Sequence, residues 1–318
     1  MTMKSGGMYI GGGFEPDKID ALVFDCDGVL VDITESYDAA IKKTVKHVLG
    51  PAGISPIDIG HEIIDGFKST GGFNDEVDLA YAIIISIATA ARSGRNQEEF
   101  IHDVIKNADS RGIASVERYV KGMADISDIL EKTSHPGPSR KSPLYHTFDQ
   151  LFYGGDLYKS LFGGDSEFAG PGLIERDRVI LTGDLAGSLS AKFGSRIAMV
   201  TGRGFKSARH SLGGLLDGFD LGNSVFLEDE PRELAKPNPK PLLDAIGGMG
   251  GTTTMYVGDS MEDLLMAKET SKRGCRAVFC GITGTSKNPQ AKMDLFRHNG
   301  AEIVLDSIHQ IPKALNLE

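Results

Sequence analysis

Apolar residues along this chain fall into two regimes. Residues 19–25 (I-D-A-L-V-F-D) form a short, nearly continuous apolar run ending in acidic residues and glycine. That is the pattern of a parallel strand buried on both faces with functional groups at its carboxyl end. Residues 196–201, 253–259 and 276–280 repeat the form, with 224–227 and 302–305 as weaker candidates. Helix-like stretches at 206–216, 239–246, 261–272 and 289–298 separate them. Strand and helix therefore alternate, which predicts an α/β fold, an open and doubly wound parallel sheet, for the carboxyl half.

From about residue 34 to 175 the apolar positions recur at helical spacing, with no strand-like run of comparable strength. Helices are predicted over 35–49, 59–67, 76–92, 97–108, 115–131 and 148–161. Residues 133–143 (T-S-H-P-G-P-S-R-K-S-P) read as a loop, because a helix interior does not tolerate this density of proline. The expected organisation is a flexible glycine-rich tail over 1–18, a sheet domain built from 19–34 and 176–318, and a helical module over 35–175 inserted after the first strand. Substrate clefts commonly form where a chain crosses between domains.

Composition narrows the partners. With 34 basic and 44 acidic residues the net charge is -10, which opposes binding of nucleic acid through a general electrostatic field. A small anion needs local cations or a metal. Cys26, Cys275 and Cys280 show neither zinc spacing nor a paired secretory framework, so reduced thiols in a cytoplasmic protein are expected. The longest apolar stretch, around 79–91, is too short to span a bilayer and reads as a buried helix.

Candidate chemistry gathers at the strand ends. Residues 25–32 read D-C-D-G-V-L-V-D directly after the first buried run, where ligands of open α/β sheets bind. Of two aspartates spaced by one residue on a turning backbone, one can face a reacting phosphorus while the other handles a proton. Taken alone, a solvated acidic turn closed by Gly28 fits the same letters. Cys26, between carboxylates, reads as a small buried residue rather than a reactive thiolate. Thr201 ends the apolar run A-M-V-T-G-R, with Gly202 permitting close backbone approach to an anion. Gly258 to Asp263 (G-D-S-M-E-D) follow another strand, and Asp259 and Asp263 are four apart, a spacing that lets both carboxylates address one cation.

These motifs, with Lys236 in K-P-N-P between the second and the last, stand in the order found in the haloacid dehalogenase-like hydrolases, which the chain resembles. The resemblance implies an aspartate nucleophile at Asp25 and an acid–base role for Asp27. It implies phosphoryl contacts from Thr201 and a lysine, Lys236, that balances charge at the nucleophile. Lys240 competes for that last role, but its place in the following proline-rich turn suits a solvated helix start. The resemblance also implies Mg²⁺ held by Asp25, Asp259 and the backbone carbonyl of Asp27, with Asp263 beside them. The second aspartate of the first motif favours phosphate over carbon–halogen chemistry.

The inserted helices correspond to the mobile cap of this superfamily, here longer than the usual small helical form. Residues 67–74 (F-K-S-T-G-G-F-N) look like the specificity loop of capped relatives such as β-phosphoglucomutase, with Lys68 and Asn74 as candidate substrate contacts. Arg203, next to the second motif, is a further candidate contact. The expected activity is Mg²⁺-dependent hydrolysis of a small phosphorylated metabolite through an aspartyl-phosphate. A phosphomutase or phosphotransferase needs the same motifs, and a non-catalytic phosphate-binding regulator retains the same fold.

Overall fold

The computed structural model describes residues 2–4, 7–73, 75–136 and 142–317, the first three by their backbone. The chain divides into two compact units, Met1–Thr34 with Asp177–Glu318, and Glu35–Arg176. In the first unit the strands among the described residues are β1 (Thr2–Lys4), β2 (Met8–Ile10), β3 (Ala21–Phe24), β4 (Val31–Asp32), β5 (Arg178–Val179), β6 (Ile197–Thr201), β7 (Val225–Phe226), β8 (Thr253–Gly258), β9 (Arg276–Ile282) and β10 (Ile303–Leu305). Eight of them form one sheet in the order β1-β2-β10-β9-β8-β3-β6-β7. From β10 to β7 it is parallel throughout.

The order places β3 at the reversal of winding. It pairs with β6 on one side (Phe24↔Met199) and with β8 on the other (Phe24↔Val257), and the later strands are added outward in both directions. Its carboxyl end is thus the topological switch point, where the two neighbouring connections diverge and leave a crevice. Strand periodicity separates the side chains cleanly. Leu22, Phe24, Met199, Met255 and Val257 join one core, and Ala21, Val23, Ala198, Val200 and Tyr256 join the core on the opposite face. Because both faces are covered, these strands read as continuous apolar runs rather than alternating ones.

The second unit is helical, with α1 (Thr34–Leu49), α2 (His61–Ser69), α3 (Glu76–Arg92), α4 (Gln97–Asn107), α5 (Ile113–Val120), α6 (Ser127–Thr133) and α7 (Pro143–Phe162). Residues 79–90 of α3 are all buried, so this helix is the unit's centre, covered on every side. Asp75 caps it by accepting from the N–H groups of Val77 and Asp78. The single helix expected over 115–131 is two. Lys121 leaves the helical region and Gly122 takes φ +76°, which ends α5 before α6 begins. The helix expected from residue 148 instead starts at Pro143, since proline is tolerated in a first turn and Ser142 caps it.

In the sheet unit, α8 (Gly183–Phe193) precedes β6, and α9 (Phe205–Leu212), α10 (Lys240–Met249), α11 (Met261–Lys272), α12 (Pro289–His298) and the short α13 (Ile311–Ala314) follow in turn. The glycine-rich start of the chain, expected as a flexible tail over 1–18, instead adds β2 antiparallel to β10 (Ile303↔Ile10), with Met8 buried. An otherwise open sheet edge is paired in this way. The chain leaves along β4 and returns along β5, which pair antiparallel and are tied by Arg178 to Asp32 at 2.6 Å.

Candidate active site

The site starts from β3. Asp25 follows the strand's last residue, and its N–H still donates to the Val257 carbonyl at 2.8 Å, so the backbone is held to β8 up to the point where it turns. The carbonyl of Cys26 then accepts from the N–H groups of Leu30 and Val31, closing a tight loop around Gly28. Gly28 adopts φ +72°, and a β-carbon there would lie 2.3 Å from an Asp259 carboxylate oxygen. Glycine is therefore required twice over, for its dihedral and for the close passage of Asp259. Cys26 is fully buried, and its thiol is pushed well up by that burial, so it carries no thiolate chemistry.

The turn after β8 supplies the opposite wall. Ser260 caps α11 in a reciprocal capping box: its hydroxyl accepts from the Asp263 N–H at 3.1 Å, and Asp263 Oδ2 accepts from the Ser260 N–H at 3.0 Å. Oδ2 also takes the Asp259 N–H at 3.1 Å, while Oδ1 takes the Tyr256 hydroxyl at 2.6 Å. A β-carbon at Gly258 would lie 2.5 Å from Asp263, so glycine ends the strand to admit this carboxylate.

Lys236 joins the two walls. Its Nζ lies 2.9 Å from Asp25 Oδ2 and 2.7 Å from Asp263 Oδ1, with 9% of its side chain exposed. Burial alone would lower its pKa, but the two carboxylates outweigh that and raise it, which fixes the ammonium as a charge. Lys240, by contrast, starts α10 and pairs at the surface with Asp244 at 2.6 Å.

Asp25, Asp259 and Asp263 bring carboxylate oxygens within 4.8 Å of one another, a group that could hold a metal ion. The fit with a hard divalent cation is electrostatic. Desolvation raises the Asp25 carboxyl to about 7, Lys236 opposes this, and the neighbouring carboxylates of Asp263, Asp259 and Asp27 add to it. A dication among these oxygens would relieve that crowding. The Asp263 oxygens also accept from the Tyr256 hydroxyl and from the Asp259 and Ser260 N–H groups, and one of them meets Lys236.

Arg203 was expected to meet substrate, but the structure uses it differently. It is 3% exposed, and its Nε and Nη2 lie 2.8 and 2.7 Å from the same Oδ1 of Asp27. Nη2 also reaches Asp177 at 2.9 Å, and Nη1 donates to Ser211 Oγ at 2.5 Å. The guanidinium is thus consumed in orienting Asp27. Asp27 itself is raised in pKa by burial, with Arg203 opposing and Asp177 reinforcing the shift.

Thr201 ends β6 two positions after the residue paired with Phe24, so it and Asp25 leave adjacent strands at the same sheet end. It is fully buried, and its Oγ1 accepts from the Arg203 N–H at 3.2 Å; Gly202 beside it is exposed. Lys68 lies in the helical unit, where it pairs with Glu76 at 3.1 Å, and Asn74 is outside the described residues. A residue not anticipated is Lys292 on α12, whose Nζ lies 2.8 Å from Asp259 Oδ2. Nothing in local spacing announces it, because 33 residues separate the two.

The acidic, lysine-bridged cluster thus lies at the switch point of the sheet, where ligands of open α/β sheets bind. Residues 173–270 match the family of haloacid dehalogenase-like hydrolases. The chain is similar in structure to phosphatase Tt82 from Thermococcus thioreducens, with TM-score 0.57 and 23% identity over 88% of this chain and 99% of that one. It is also similar to a protein from Haemophilus somnus 129pt described as a predicted phosphoglycolate phosphatase, with TM-score 0.52 and 14% identity over 93% and 98% of the two chains. In sequence it is 24% identical over 255 residues, 79% of this chain, to an imidazoleglycerol-phosphate dehydratase from Phytophthora nicotianae. The match spans 41% of that curated relative's length. Among the described residues no helix is long and apolar enough to cross a membrane.

Proposed function

We propose that the chain is a Mg²⁺-dependent phosphohydrolase that transfers the phosphoryl group of a small phosphate monoester to Asp25 and then to water. The observation that carries this reading is the position of Lys236, shared at 2.9 and 2.7 Å between Asp25 and Asp263. A buried ammonium against one carboxylate oxygen favours the anionic form of Asp25 against the burial that raises its carboxyl, and it aims the other oxygen, as a nucleophile requires.

The remaining roles follow from chemistry. Asp25, Asp259 and the Asp27 backbone carbonyl would hold the ion, which screens the repulsion between a carboxylate and a phosphate dianion. Asp25 attacks phosphorus and the P–O bond to the leaving group breaks. Asp27, turned by Arg203 and raised in pKa, gives its proton to the leaving oxygen. It then takes a proton from the water that attacks the acyl phosphate, returning Asp25 and inorganic phosphate. Thr201 and the backbone at Gly202 hold phosphoryl oxygens, and Lys236 offsets their charge.

The helical unit is the proposed source of leaving-group selection, with the 67–74 loop and its Lys68 as the first place to look. The curated relative is named for a phosphorylated imidazole compound, which puts imidazole-bearing phosphate monoesters at the head of a substrate panel. The test is release of inorganic phosphate from such a panel, with sugar phosphates and phosphoglycolate included, in the presence and absence of Mg²⁺. Phosphate release that requires the metal supports the reading. Isomerised sugar phosphate without release indicates a mutase, and inertness towards the whole panel overturns the catalytic assignment.

A further inference from the structure

Lys292 stands where helix electrostatics disfavour it. Asn288 caps α12 by accepting from the Ala291 N–H at 3.1 Å, Pro289 opens the helix, and Lys292 follows within its first turn. A cation there faces the positive end of the helix dipole. The fold nevertheless holds the residue in place. A β-carbon at Gly281 of β9 would lie 2.6 Å from the Phe296 ring, so this glycine lets α12 press onto the strand. Phe296, four residues after Lys292, is 1% exposed, packs 5.3 Å from Phe279, and lies 5.9 Å from Nζ. Residues four apart share a helix face, so the anchored ring directs the lysine towards the strand ends. There Nζ meets Asp259 Oδ2 at 2.8 Å, with 18% of the lysine side chain and 25% of the aspartate side chain exposed. Gly258, immediately before Asp259, pairs in register with Gly281, so one cross-strand pair of glycines admits both Asp263 and Phe296.

We propose that Lys292 is a tethered cation that shares Asp259 with the divalent ion, holding this carboxylate in the metal-free enzyme and leaving it when the metal binds. The proposal rests on the reading of Asp25 and Asp259 as metal ligands. Its consequence is that the protein weakens its own metal site: the ion either displaces Lys292 from Asp259 or binds this carboxylate beside an ammonium, and both are unfavourable. In a half-buried setting one such contact corresponds to about a tenfold change in affinity.

The experiment is calorimetric titration of Mg²⁺, and of Mn²⁺ as a tighter-binding probe, into the full chain without substrate. Lys292→Met should bind about tenfold more tightly than wild type, and Lys292→Arg, which keeps the charge, should stay within about twofold of wild type. Lys292→Gln serves as a second neutral variant should the methionine disturb α12. Unchanged or weaker binding by both neutral variants overturns the proposal, as does equal tightening by Lys292→Arg. Asp259→Asn separates the two levels of inference. Wild-type affinity in that variant refutes the metal-site reading itself, whatever Lys292 does.

Discussion

Arg203 holds Asp27 by two nitrogens on a single oxygen, Nε at 2.8 Å and Nη2 at 2.7 Å. Asp177 and Ser211 occupy the rest of the guanidinium, so its plane is set from three directions. Arg203→Gln should lower kcat about tenfold to a hundredfold with a smaller change in KM, because proton transfer depends on the geometry of Asp27. It should also cost about 3 kcal/mol of stability, the low end for breaking a buried pair, since Asp27 is partly exposed. Steady-state kinetics with denaturant melts check both. A KM effect alone would return Arg203 to substrate binding.

Gly28→Ala should be damaging out of proportion to its size. The added methyl meets the Asp259 carboxylate at 2.3 Å, and the backbone sits at φ +72°. The dihedral alone costs about 1 kcal/mol. Displacement of Asp259 should add a clear loss of Mg²⁺ affinity by calorimetry. Normal affinity with only the stability loss would mean that Asp259 is not a ligand.

Asp20 offers a test of the sheet away from the site. Burial would raise its carboxyl, but hydrogen bonds from the Thr252 hydroxyl and N–H and from the Thr253 N–H pull it below 3.8. A folded-state pKa lower than the unfolded one gives stability that is fully present above 3.8 and fades as pH falls through the lowered value. Asp20→Asn should therefore lose about 1 kcal/mol near neutrality, with the gap to wild type closing towards acid. Denaturant midpoints across pH measure it, and a gap that widens on acidification contradicts the account.

What the sequence disclosed follows from how local each signal is. Asp25, Thr201 and Asp259 each follow or end an apolar run, so strand periodicity and side-chain chemistry located them together. Lys236 stands in a loop but carries its own proline-flanked pattern. Arg203 was legible as a neighbour of Thr201 yet not in its role, because Asp27 and Asp177 lie 176 and 26 residues away along the chain. Lys292 was invisible for the same reason: the sheet brings α12 to Asp259, and no spacing encodes that contact. The pattern at 115–131 hid a break because Gly122 interrupts the helix without interrupting the apolar rhythm. Met8 to Ile10 read as a tail because a three-residue strand acquires its meaning only from the partner it pairs with, β10.

The central claim is that phosphorus becomes bonded to Asp25. Acid quenching of the Mg²⁺-loaded enzyme during turnover of a ³²P-labelled substrate, followed by peptide mass analysis, tests it most directly. The account predicts label on the peptide containing Asp25, lost in Asp25→Asn together with turnover. Continued phosphate release by Asp25→Asn, or turnover of wild type with no label ever trapped on that peptide, would contradict it.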